Sequence, residues 1–436
     1  MSTGAGIDVA SAHHRLLPET IPLRFFGTAA LAQAVAWIAL VIVADAIPLY
    51  QGGPGPVAAA FHLLTVGVLL TTAMGASLQM LPVALGRAAP RAGLCHAVYA
   101  LLGLGGITLV AGFASSAVLV IAAGAAALAL SVAIYGAAIV AILRGASSLR
   151  LVRIHVWMAL ACLGVGVLLA LLLAIDYSAP ILPDHRATAL IHMALVVYGF
   201  LGLLALGLSQ ILIPMFAITE PVAGRIPAAA LGLAVAGLTV AVAGLLAGEA
   251  ALVVAAVALS LAALGCHGAH VERMLTRRMR RRLGGEFQLI RFSWLMLAAA
   301  LLVAGGLALE LVPDTAPALL GFLTLFGWLL SLVIGVQQRI LPFLGSMHVL
   351  RTGARPVAPT KLANERCLRI HRWCHFLAVG LVAAGILFAA PAIIRLGGCA
   401  GFVGALAYGL FAITVFQRAR QHLGAAAVPV ARRTPS

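Results

Sequence analysis

Charge is nearly absent from this chain. Only 9% of its 436 residues are Asp, Glu, Lys or Arg, while 63% are hydrophobic. Mean hydropathy is +1.12. A water-soluble domain covers itself with charged side chains, so this composition excludes one. Acid is the scarcer sign, with 12 Asp and Glu against 28 Lys and Arg. Asp and Glu fall almost wholly between the long apolar runs, which argues against a proton relay built from carboxylates. The six cysteines (95, 162, 266, 367, 374 and 399) form no C-x-x-C pair, so no disulfide framework is expected. No signal peptide is read either. Residues before Arg24 are polar and mixed, and the first apolar run is too long for a signal h-region.

What is there is apolar length. Runs of about twenty apolar residues suffice to cross a bilayer, and twelve such runs follow one another. They cover approximately 24–48, 57–85, 92–113, 116–143, 152–175, 189–217, 226–248, 250–271, 288–311, 317–345, 369–390 and 395–417. The expected fold is an all-α membrane protein over 24–418, between tails at 1–23 and 419–436. The formal charge of +16 reflects arginines in loops on one side rather than a nucleic-acid surface. Loops after even-numbered runs hold Arg87 and Arg91; Arg144, Arg150 and Arg153; Arg225; Arg273 to Arg282; and Arg351 to Arg369. Loops after odd-numbered runs hold Asp45, Asp176, Asp184, Glu249, Glu310 and Asp314, with Arg186 and Arg395 as their only arginines. The positive-inside rule puts both termini in the cytoplasm, in the inner (plasma) membrane. The Arg273–Arg282 run is a topogenic loop, or a contact for anionic lipid heads.

One stretch occurs three times. Gly67, Gly75 and Pro82 recur as Gly199, Gly207 and Pro214, and as Gly327, Gly335 and Pro342. The glycines stand eight apart, the proline follows seven later, and the copies are nearly evenly spaced along the chain. Gln79, Gln210 and Gln338 sit three or four positions before each proline. A fixed spacing repeated at one period signals an internal repeat. Every copy falls in the second run of a group of four. Arg24-Phe-Phe, Arg153-Ile-His-Val-Trp157 and Arg291-Phe-Ser-Trp294 open the three groups. Three pseudo-symmetric groups of four are therefore expected, at about 24–148, 149–286 and 287–418. The glycines would bring helices close. Each proline frees a carbonyl that a nearby glutamine can satisfy. The functional alternative is a ring of glutamines around a pseudo-threefold axis.

Histidine is the ionisable residue that does enter the runs. His62 and His192 lie near the outer ends of runs two and six. His62 precedes Pro82, and His192 stands two positions further ahead of Pro214. The third copy carries Phe322 and Leu320 at these two offsets from Pro342. A structural role, hydrogen-bonded within the packing, competes with a ligand role for both. A second set stands toward the arginine-rich ends: His96, His155, His267, His270, His371 and His375. His371 and His375 are four apart and share a helix face, the spacing of a metal or heme site, although arginines around them favour a solvated interfacial pair. His155 with Trp157 reads as an interfacial anchor. His13, His14, His185, His348 and His422 read as loop or tail residues.

Twelve helices in three groups of four, with His62 in the second and His192 in the sixth, resemble the catalytic subunit of heme-copper oxidases. The chain looks closer still to the subunit I-like and NnrS-like membrane proteins of that architecture. The resemblance implies heme b, with copper as a lesser option, and electron transfer or nitric-oxide-related respiratory metabolism. In that family the second helix supplies a heme ligand, which matches His62, and the sixth a copper ligand, which His192 could match. Rotating the family's heme-clasping helix pair by one repeat unit instead makes His62 and His192 ligands of one shared heme, the first choice here, with His155, His371 and His375 as a second tier. The resemblance also implies the bilayer and a redox partner or membrane subunit as partners. The family pattern is incomplete here: run seven has no histidine, run ten has none between Pro317 and Gly345, and Val196 stands where the family has a Tyr. A terminal oxidase is therefore not expected. A cofactor-free transporter or channel, and an assembly scaffold that keeps the fold, remain as competing readings.

Overall fold

Uniformly apolar runs leave the backbone as the only strong hydrogen-bonding group in lipid, and a helix satisfies it within one segment. The computed structural model describes residues 15–220, 224–280 and 282–427, and among these the chain is helix and connecting turns. Twelve helices are long and apolar enough to cross a membrane, which makes this a multi-pass membrane protein. They are α1 (Thr20–Ile42), α2 (Pro56–Ala84), α3 (Ala92–Ala114), α4 (Val118–Arg144), α5 (Arg150–Asp176) and α6 (His185–Ala217). The second half holds α7 (Arg225–Ala247), α8 (Ala250–Thr276), α9 (Glu286–Ala308), α10 (Ala316–Arg351), α11 (Glu365–Leu387) and α12 (Pro391–Gly424).

Several boundaries differ from the sequence reading, among them α8 and α10, which run on to Thr276 and Arg351. Helix α1 stops at Ile42, and the chain turns ahead of Pro48, whose ring disfavours helix in the residue before it. Helix α12 runs past the expected boundary at 418, because its end is held from outside. Arg418 donates to the carbonyl of Ala363 at 2.5 Å, and His422 to that of Arg355 at 2.9 Å. His13, His14 and Arg281 lie outside the described residues.

Helices α2, α6 and α10 each pack against the helix before them and the two after them. The outer helices meet as α4 with α5, α8 with α9 and α12 with α1, so the ring closes. The repeated glycines make the inner contacts. A Cβ on Gly67 would reach Ala32 and one on Gly75 would reach Phe25, both in α1. Gly199 and Gly207 meet Cys162 and His155 of α5, and Gly327 and Gly335 meet Met296 and Leu289 of α9. Small residues two turns apart thus dock each inner helix on its predecessor, as expected. A second glycine stripe joins the outer pairs. Gly105 and Gly112 of α3 lie on α4, Gly237 and Gly244 of α7 on α8, and Gly385 of α11 on α12.

Each inner helix also contains a π-helical stretch, which residue periodicity does not announce. The stretches are Thr65–Leu70, Ala194–Gly202 and Leu323–Leu330. Each includes the first glycine of its motif. Such stretches widen a helix and are frequent at functional sites. Those of α2 and α10 touch one another.

The glutamines do not do what the sequence suggested. Among the described residues none caps the carbonyl freed by its proline. The Gln210 side-chain carbonyl accepts from His270 Nε2 at 2.7 Å, across to α8. Gln79 Oε1 and Gln338 Nε2 are buried without a partner. Packing between helices, and not the local backbone, sets where these side chains go.

Candidate functional site

His62 stands in α2, one turn before the π stretch. Its Nδ1 donates to the carbonyl of Ala58 in its own helix at 2.8 Å. A carbonyl can only accept, so this bond fixes the proton on Nδ1 and leaves Nε2 as a lone pair. The ring stacks on Phe113 of α3, with centroids 4.3 Å apart and planes 23° apart.

His192 stands in α6, just before its own π stretch. Its Nδ1 donates across the helix interface to the carbonyl of Gly166 in α5 at 2.7 Å. The tautomer is the same, and Nε2 again carries the lone pair. Neither Nε2 has a hydrogen-bond partner among the described residues, and neither is sealed off. Both residues are half-buried. Their outward partners are Phe113 and Gly166, so α3 and α5 flank the pair. A lone pair on one nitrogen and a backbone carbonyl on the other is the arrangement that metal-bound imidazoles use.

The second tier is placed differently from expectation. His155 is 1% exposed, donates Nδ1–H to Leu151 O at 2.8 Å, and lies on Gly207. It is packed between α5 and α6 and is not an interfacial anchor, while Trp157 keeps 40% exposure. His371 and His375 are 0% and 1% exposed, which overturns the solvated reading. Arg366 and Arg369 point outward, whereas the histidine face turns inward against α10, α12 and Trp37 of α1. His371 Nδ1 donates to Gly404 O at 2.9 Å, and His375 Nε2 meets Ser331 Oγ at 2.7 Å. His371 Nε2 and His375 Nδ1 are buried and unpartnered. The rings stack with centroids 5.8 Å apart.

Three histidines assigned to loops or tails are also engaged. His185 bonds Asp176 at 2.7 Å, His348 inside α10 bonds Glu19 at 2.8 Å, and His422 sits in α12. His96 of α3 accepts from Arg24 at 3.3 Å.

One set of interior residues was not read as a set: the sequence reading named His267 alone among them. Tyr135, His267 and Tyr408 occupy α4, α8 and α12, the last helix of each group, and each is followed by glycine. Tyr135 meets Ser77 Oγ of α2 at 2.8 Å. Tyr408 donates to Gln337 of α10, whose Nε2 donates to Thr72 of α2 at 2.9 Å. An aromatic ring followed by glycine in the fourth helix of each group was the available signal. Among the described residues, no group of three or more His, Cys, Asp or Glu is arranged to hold a metal ion. No protein-family model matches the chain, and a search of curated proteins finds no match.

Proposed function

We propose that this chain is a heme-binding membrane protein with the architecture of heme-copper oxidase subunit I, and that His62 and His192 hold one b-type heme between α2 and α6. The observation that carries this reading is the matched pair of Nε2 lone pairs. Each is backed by a carbonyl on Nδ1, and neither Nε2 has a partner among the described residues. The donor set fits iron in a porphyrin, which takes one neutral imidazole on each face.

The arrangement of three groups of four supports the reading. Each of α2, α6 and α10 carries the glycine pair, the proline and a π stretch, and each contacts the same three members of its own group. Under threefold symmetry, equal registers on α2 and α6 aim side chains into two different spaces. A shared site needs one residue to face forward and the other back. The offsets of His62 and His192 from their prolines differ by two positions. Two positions are about 200° of helix rotation. The difference in offset, together with π stretches of unequal length between each histidine and its proline, turns the two side chains to different sides of their helices.

A bis-histidine heme leaves no open coordination position and supplies one-electron transfer when bound. The chain's own residues do the rest. Ala58 and Gly166 orient the imidazoles, Phe113 stacks on one ring, and apolar helix walls exclude water. Oxygen reduction is outside this reading. Helix α7 has no histidine, and the single histidine of α10, His348, sits in its last turn bound to Glu19. Copper is the weaker occupant, because two imidazoles without a third donor leave its site incomplete. We place the protein in the inner membrane with both termini cytoplasmic, exchanging electrons with a redox partner or membrane subunit.

The test is a visible spectrum of purified protein before and after dithionite, for wild type, His62→Ala and His192→Ala. Wild type should show a Soret band with sharp reduced bands, and each single variant should lose the low-spin signature. A featureless wild-type spectrum sinks the proposal and leaves a cofactor-free transporter or assembly scaffold. Unchanged spectra in the single variants sink the ligand assignment.

A further inference from the structure

Between Asp45 and Asp176 the chain has no acidic residue at all. Over the same stretch it places Arg87, Arg91, Arg144, Arg150 and Arg153 at the ends of α2 to α5 that share one side of the bundle. Among the described residues, Arg87, Arg91, Arg144 and Arg150 enter no ion pair. A few arginines on that side are neutralised within the chain, as Arg280 and Arg339 are by Glu286 and Arg291 is by Glu272. The four unpaired arginines of the first group are open to an anion from outside the protein.

The site has a shape as well as a charge. A cavity of about 270 Å³ opens between the α2–α3 turn and the end of α4. Arg87 and Arg91 stand at its rim, and Leu94, Ala138 and Ile142 supply apolar wall. Arg87 is held in place. Its backbone N–H donates to Pro82 O at 2.8 Å, and its guanidinium lies against Gly145, where any side chain would collide with it. Two guanidiniums beside an apolar groove match a phosphodiester with an acyl chain below it. Guanidinium binds phosphate oxygens through paired N–H donors. Basic pockets between helices at the membrane face are where anionic headgroups collect.

We propose that this groove is a binding site for one anionic glycerophospholipid, with its phosphate on Arg87 and Arg91 and an acyl chain along Leu94, Ala138 and Ile142. The proposal is independent of the heme reading.

Native mass spectrometry of the full chain, released from phosphatidylcholine nanodiscs doped with phosphatidylglycerol, tests it. Wild type should keep one phosphatidylglycerol that the Arg87→Gln/Arg91→Gln variant loses, while Arg225→Gln, an exposed arginine on α7, keeps it. The Arg91→Lys variant should keep the lipid in part, which shows that a loss in the double variant is not unfolding. Equal retention in wild type and the double variant overturns the proposal. So does equal retention of phosphatidylcholine, which indicates an apolar groove alone. Displacement by excess inorganic phosphate overturns it too, by identifying a free-anion site or a contact for an acidic protein segment.

Discussion

His192 Nδ1 donates to the carbonyl of Gly166, 2.7 Å away across the α5–α6 interface. The bond exists because Gly166 lets α6 come close: a Cβ there would lie 2.6 Å from Val196 Cγ2. Gly166→Ala should push Val196 aside and lengthen the hydrogen bond. The expected outcome is a cost of about 1–3 kcal/mol for overpacking, together with a changed spectrum if His192 holds the heme. Thermal unfolding in detergent and the Soret position read the two effects separately. An unaltered melting curve would show that the interface has slack.

Gly207 makes a similar approach on the other half of the interface. A Cβ would sit 2.7 Å from His155 Cβ. Gly207→Ala is expected to destabilise by about 1–3 kcal/mol. Gly232, on the same group's α7, meets nothing within 4 Å. Gly232→Ala should be neutral or stabilise by up to about 1 kcal/mol through helix propensity. The comparison of the two melting temperatures decides whether the repeat glycines serve packing.

Tyr408 donates its hydroxyl proton to Gln337, and Gln337 donates to Thr72. All three are buried and link α12, α10 and α2. Tyr408→Phe strands an acceptor in the membrane interior, and the expected cost is about 1–3 kcal/mol. Tyr135→Phe should cost less, since Ser77 keeps its bonds to the carbonyls of Ala73 and Met74. Equal losses in the two variants would contradict this account of the network.

Orientation is checked by reporter fusions after Arg282 and after Glu310. The arginine asymmetry expects them on opposite sides, the first cytoplasmic. Signals from the same side would remove the assignment, and with it the cytoplasmic placement of both termini.

Helix number, span and inner-helix identity were legible in the amino-acid order. In lipid the backbone must satisfy itself, so apolar length alone dictates helices, and the glycine pairs at 67/75, 199/207 and 327/335 name the inner ones. His62 and His192 were legible for the same reason, since an ionisable group in an apolar run stands out. The direction in which a side chain leaves its helix was not. His371 and His375 read as solvated because their sequence neighbours are arginines, but those arginines occupy the opposite face of α11. Helix α12 and Trp37, hundreds of positions away in the chain for Trp37, bury the histidine face. Nor could local pattern show the three π stretches, which depend on what packs against each inner helix, or that Gln210 would turn to His270 instead of its own helix. Composition and spacing set which segments enter the membrane. Only long-range packing decided which faces meet.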